Sequence, residues 1–180
     1  MTRILHIDAS ARKAGSVTRD MARRIVASHD GAQVVHRDLA AALPQIDEAW
    51  VAANFTPADQ RSDAQKAALA LSDSLVAELR AADVIVIGLP VYNFSVPAAF
   101  KAWVDLVARV GETFSYSEQG PKGLLTGKSV VVAAASGGMP IGAGIDFATP
   151  YVRHVLGFLG MTDVTLMTPA DFSAPGEAAA

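Results

Sequence analysis

The 180-residue chain predicts a doubly wound α/β fold: five parallel strands in the order 2-1-3-4-5, with helices on both faces of the sheet. Three observations carry this expectation. Val84–Ile87 (VIVI) and Ser129–Ala135 (SVVVAAA) are apolar without alternation, as strands covered on both faces must be. Amphipathic helical stretches separate the strands. Small and polar residues gather directly after the first, third and fourth strands, which are neighbours in that order, so their loops converge on one crevice at the carboxyl edge.

The elements follow in order. Arg3–Asp8 (RILHID) reads as the first strand, and the stretch Ala9–Thr18 after it is hydroxyl-rich and carries Arg12 and Lys13. Val17, Met21 and Ile25 then recur every four residues, with Ser16 as a good cap. Residues 32–37 (AQVVHR) form the second strand, and residues 38–56 read as an irregular connection. From 62 to 82, Ala64, Ala67, Ala68, Leu71, Leu75 and Leu79 share one helical face. The third strand, Val84–Ile87, runs into Gly88 and Leu89, and Pro90 should end its ladder. Pro97 has its φ preset for the first turn of a helix over 98–110, which buries Phe100, Trp103, Val104, Val107 and Ala108. Residues 111–125 read as a loop. The fourth strand, Ser129–Ala135, exits into Ser136-Gly137-Gly138. A helix over 147–159 is apolar nearly all round, which points to burial on more than one side and so to a subunit interface. Val164–Met167 is the fifth strand. The Ala-rich residues after Ser173 are a short tail, and the closing helix expected at this end is either short or truncated.

Composition narrows the function. With 51% hydrophobic and 18% charged residues the chain is expected to form one globular domain over residues 1–180. A net charge of −3 provides no basic footprint for nucleic acid. No apolar run approaches the roughly 20 residues that span a bilayer, and His6 and Asp8 interrupt the N-terminal apolar stretch too early for a signal peptide. The expected location is the cytoplasm. The absence of cysteine removes disulfides, thiolate metal sites and cysteine nucleophiles.

Several motifs are weighed and set aside. Gly127-Lys128-Ser129 resembles the end of a phosphate loop, but Lys122 stands where the first glycine belongs and a strand follows instead of a helix. No G-x-G-x-x-G follows the first strand. Ser136 lacks the first glycine of a nucleophile elbow, so a hydrolase with His154 as base has weak support. His6, His29, His36 and His154 show no metal-ligand spacing, and no metal is expected. Taken alone, Ser10 and Ser16 read first as turn and cap residues. In Pro90–Pro97, by contrast, Tyr92 and Phe94 flank Asn93 between two prolines just past a strand end, where such sheets bind ligands.

Those residues carry a resemblance. Pro90, Tyr92, Asn93 and Phe94 (P-x-Y-N-F), the run Thr113–Lys128 (TFSYSEQGPKGLLTGK), the later S-G-G and LGFLG are similar to the FMN-dependent NADH:quinone oxidoreductases, also called azoreductases, of the flavodoxin-like superfamily. The resemblance extends from the first strand to about Asp171. It implies a flavodoxin-like fold, bound FMN, NADH or NADPH as co-substrate, quinone or azo acceptors, and a homodimer with FMN at its interface. By the same resemblance Ser10 and Ser16, Val17 and Thr18 hold the FMN phosphate. Pro90, Val91, Tyr92, Asn93 and Phe94 border the isoalloxazine, and Ala135, Ser136, Gly137 and Gly138 meet its pyrimidine edge. Ala135 and Ser136 replace a serine and a larger polar residue usual in the family, so backbone contacts are expected there. Phe94, Tyr116 and, from the partner subunit, Phe158 are expected to form the apolar substrate pocket. No side chain is assigned a catalytic role, because the flavin carries the chemistry. One open flavin face implies ping-pong turnover. The alternatives are a flavodoxin-like FMN electron carrier without small-molecule turnover and, more remotely, the serine hydrolase.

Overall fold

The computed structural model describes residues 1–172. Five parallel strands form one sheet: β1 (Arg3–Asp8), β2 (Gln33–Asp38), β3 (Val84–Pro90), β6 (Ser129–Ala135) and β7 (Asp163–Met167). Their spatial order is β2-β1-β3-β6-β7. A separate antiparallel pair, β4 (Phe114–Ser117) and β5 (Gly120–Gly123), interrupts the chain between β3 and β6. Leaving that pair out, the order is the expected 2-1-3-4-5.

The helices α1 (Val17–Ala27), α2 (Glu48–Phe55), α3 (Asp63–Ala81), α4 (Ala98–Val107) and α5 (Ala148–Phe158) cover the sheet on its two faces. Alternate residues of each central strand serve opposite faces. Ile4, Val86 and Ala133 pack with Met21, Ala22 and Ile25 of α1. Leu5, Ile7, Ile85, Ile87, Val130 and Val132 pack on the other side with residues of α3, α4 and α5, among them Leu75, Leu79, Phe100, Trp103 and Leu156. Fully burying each such side chain contributes about 1.5–3 kcal/mol, which makes the larger core the main source of stability.

Four sequence expectations are corrected. Residues 38–56 contain α2, capped by Asp47 through Trp50 N–H at 2.7 Å. Residues 111–125 contain the β4–β5 hairpin, closed by Ser117 and Gly120, the latter at φ 106°. The third strand runs past Ile87 to Pro90, where its ladder ends as expected: Pro90 pairs with Ala135, and the next N–H, of Val91, donates to Ala135 O at 2.8 Å. A proline at the last strand position loses only its own donor. On α3 the buried face is Leu69, Ser72, Leu75, Val76 and Leu79, while Ala64, Ala67 and Ala68 lie exposed.

Ser72 and Arg109 explain the last difference. Arg109 is fully buried and donates to Asn54 Oδ1 (2.7 Å), Ser72 Oγ (2.7 Å) and Asp73 Oδ1 (2.9 Å). Ser72 Oγ in turn donates its own hydrogen bond to Leu106 O at 2.5 Å. A polar side chain thus occupies a core-facing helical position because a buried guanidinium requires an acceptor there. The network joins α2, α3 and the end of α4. The closing helix expected after Ser173 lies outside the described residues.

Candidate active site

Three loops leave the carboxyl edges of β1, β3 and β6 side by side and enclose a cleft of about 460 Å³. The first wall holds Ser10, Arg12, Gly15, Ser16, Val17 and Thr18. Gly15, at φ 64°, turns the chain so that Ser16 can cap α1, where its hydroxyl accepts from Arg19 N–H at 3.5 Å. The N–H groups of Val17 and Thr18 fall in the first turn and have no intrahelical acceptor. Together with Arg12 they make this end favourable to an anion.

Pro90, Val91, Tyr92 and Asn93 form the second wall. Tyr92 and Ser95 exchange both backbone hydrogen bonds at 3.0 Å across Asn93 (φ 49°) and Phe94 (φ 69°). Two successive left-handed residues make a primed hairpin turn, a conformation that Asn tolerates and Phe does not favour. The tyrosine also has a task the sequence does not announce. Its hydroxyl accepts from Ala11 N–H at 3.3 Å and stands 3.4 Å from Ser10 Oγ, tying the second loop to the first.

The third wall is Ala135, Ser136 and Gly137. Ser136 Oγ accepts from Met139 N–H at 3.1 Å, so its side chain is turned onto its own loop. Asp146 braces the rest of that loop through the N–H groups of Gly142, Ala148 and Thr149 and the Thr149 hydroxyl. Burial raises the Asp146 carboxyl, but these hydrogen bonds outweigh it and hold the group below its ordinary range. Phe147 N–H then donates to Phe94 O at 3.0 Å, joining the third loop to the second.

The structure thus brings together every expected cofactor-contacting residue except two at the margin. Phe94 stands at the mouth with 55% of its surface exposed, and Gly138 follows the lining residue Gly137 without lining the cleft itself. Of the expected substrate-pocket residues, Tyr116 and Phe158 lie outside this chain's cleft lining and both pack on Phe114, at ring distances of 5.5 and 4.6 Å. His154 is exposed on α5 and no hydrogen bond joins it to Ser136 among the described residues, so the hydrolase pairing finds no support.

Beneath the first loop lies a cluster that spacing along the chain does not reveal. Arg19, buried on α1, donates to Asp8 Oδ2 (3.1 Å), to both oxygens of Asp38 (2.6 and 3.1 Å) and to Ser10 O (2.7 Å). The bond to Ser10 O fixes the backbone of the anion-favouring loop. Charge-assisted bonds from Arg19 hold the Asp38 carboxyl low. Burial raises the Asp8 carboxyl, yet the imidazoles of His6 and His36 and the Arg19 charge together keep it low. An arginine on the apolar side of α1 was the available signal, since it requires acidic partners such as the two strand-end aspartates.

The sequence profile described as flavodoxin-like fold matches residues 2–180. The FMN-dependent NADH:quinone oxidoreductase 1 of Jannaschia sp. (strain CCS1) is 64% identical over 168 residues, 93% of this chain and 87% of that protein. The protein of the same name from Hahella chejuensis is 50% identical over 171 residues, 93% of this chain and 84% of its own. Among solved structures, an azoreductase from Bacillus anthracis str. Sterne superposes with a TM-score of 0.84 at 28% identity, covering 93% of this chain and 86% of that one. The chain belongs to the flavodoxin-like fold family, and the relatives at 64% and 50% identity bear the name FMN-dependent NADH:quinone oxidoreductase 1.

Proposed function

We propose that the protein is an FMN-dependent oxidoreductase that takes hydride from NADH and delivers electrons to quinones, with azo compounds as a second class of acceptor. The observation that carries this reading is the meeting of an anion-favouring helix end with an exposed aromatic turn and a glycine loop around one cleft. The names borne by relatives at 64% and 50% identity support it.

The residues fit the cofactor. A volume near 460 Å³ falls within the range of small-molecule sites. A Cβ added to Gly137 or Gly138 would meet nothing within 4 Å, so no protein atom crowds this loop, and Gly137 lines the cleft. Ser10, Ser16 and the first N–H groups of α1 would hold the phosphate, and Pro90 to Phe94 would border the ring. The N–H groups of Gly137 and Gly138, which have no protein acceptor among the described residues, would offset negative charge at its pyrimidine end. Bound there, the flavin supplies hydride and electron transfer, and the protein supplies position and electrostatics. Arg12 and Tyr92 are the titratable side chains of the lining. With no carboxyl or imidazole in the lining, solvent supplies the one proton that quinone reduction takes beyond the hydride. With one open face, NADH and acceptor take turns.

The functional unit is a homodimer in the cytoplasm. Phe94, Ile145 and Phe147 are all more than half exposed, and the bond from Phe147 N–H to Phe94 O places them at the cleft mouth. An apolar rim of this kind is best covered by protein. Phe158 then reaches the substrate pocket from the second subunit.

Gly137→Val tests the assignment. A branched side chain should enter the cleft and lower FMN affinity at least tenfold in a fluorescence-quenching titration, while the far-UV circular dichroism spectrum stays unchanged. Undiminished FMN affinity would contradict it.

A further inference from the structure

The register of β1 and β2 sets His6 opposite His36, and Asp8 follows two residues along the same face. The two imidazole rings stack at 4.7 Å with a 41° tilt. Both turn their Nε2 atoms to the one carboxylate: His36 Nε2 stands 2.9 Å from Asp8 Oδ2, and His6 Nε2 stands 3.4 Å from Asp8 Oδ1. The second contact is not a hydrogen bond. His6 and Asp8 are more than nine-tenths buried, and His6 Nε2 and Asp8 Oδ1 both lack a partner. With Nε2 deprotonated, these two facing buried atoms each present a lone pair and neither has a hydrogen bond of good geometry, which is costly unless something fills the gap between them.

We propose that His6 Nε2, His36 Nε2 and Asp8 Oδ1 form a binding site for a divalent transition-metal ion of the zinc class. The three ligand atoms already lie within 4.8 Å of one another. Bonds of about 2.0–2.2 Å to a tetrahedral ion place ligand atoms roughly 3.3–3.5 Å apart, with water in the fourth position. The contraction falls to His36, whose side chain is 49% exposed: its Nε2 exchanges the 2.9 Å contact with Asp8 Oδ2 for the ion, and the same exposure gives the ion its entry path. Two imidazoles and one carboxylate are a donor set that suits zinc and its first-row neighbours rather than calcium or magnesium.

The charges agree. Asp8 and Asp38 face one cation, Arg19, so the cluster retains one negative charge when both imidazoles are neutral. Arg19 engages Oδ2 of Asp8 and leaves Oδ1 to the metal, and its bonds to Asp38 and Ser10 O keep the guanidinium in place. Arg19 would then orient the carboxylate ligand from behind. The site stands apart from the cleft and does not depend on what the cleft binds. An ion there would brace β1 against β2 directly below the Ser10 loop.

The test uses the full chain saturated with FMN, stripped with a chelator, desalted and titrated with zinc chloride by calorimetry. Zinc retained per chain after a second desalting is read by elemental analysis. The expected result is one zinc per chain, with affinity reduced at least tenfold in His36→Gln and in Asp8→Asn and unchanged in His29→Gln and His154→Gln. His36 is at the exposed side, so His36→Gln keeps the test valid even if Asp8→Asn misfolds. No retained zinc, or retention unaffected by His36→Gln, would overturn the proposal.

Discussion

Asn93 and Phe94 show how much of the site rests on single backbone conformations. Each non-glycine residue held in the left-handed region costs on the order of 1–3 kcal/mol, Asn less than Phe. The hairpin bonds between Tyr92 and Ser95, the Tyr92 hydroxyl and the Phe147 N–H together impose that conformation. Asp146 supports the same mouth from the third loop, and its effect is pH-dependent. Its carboxyl titrates below the usual value of about 3.9. The stability it contributes is therefore fully present above that value and is lost as pH falls through the lower folded-state value. The melting temperature of the wild type should exceed that of Asp146→Ala by several degrees at pH 6, and the gap should narrow between about pH 4 and pH 3. A gap that stays constant down to pH 3 would show that Asp146 does not act through its charge.

At the scale of elements, the strands and helices bordering the crevice were legible because their patterns are local. Four β-branched residues in a row at Val84–Ile87, the cap at Ser16 and the apolar face from Phe100 to Val107 each follow from adjacent sequence. The β4–β5 hairpin was not legible, because its cause is distant. A Cβ on Gly123 would collide with the backbone of Leu159 and Gly160, and Leu125 N–H donates to Leu159 O at 2.9 Å. The hairpin is placed by close backbone approach to the end of α5, a contact between residues more than 30 positions apart. Gly123→Ala should therefore separate the two segments and destabilise the protein by about 1–3 kcal/mol, the usual cost of overpacking. A change in the chemical-denaturation midpoint within error of wild type would contradict this. The apolar character of α5 was legible too, though part of it serves the monomer: Ala148, Val152 and Leu156 are buried within the chain.

At the scale of the molecule, the strand order delivers three separately encoded loops to one place. The sequence showed which loops carried small and polar residues, and the order 2-1-3 with the fourth long strand beside them followed from the α/β pattern. It did not show what lies under the loops. The Arg19 bridge to Asp8 and Asp38, and the pairing of His6 with His36, depend on register between strands about 30 residues apart. Register is set by turn and core geometry and leaves no spacing motif. The same holds for the cleft mouth, where exposed Phe94, Ile145 and Phe147 come from two different loops.

The central claim is that the cleft is a flavin site at which a reduced nicotinamide and a quinone act in turn. It is tested most directly by the visible spectrum of the FMN-loaded protein under anaerobic conditions, first with NADH and then with benzoquinone. The visible absorbance of the bound oxidised flavin should bleach on adding NADH and return on adding quinone, with flavin supplying the redox chemistry. Flavin that binds but is not reduced by NADH would contradict the account and leave an electron carrier in its place.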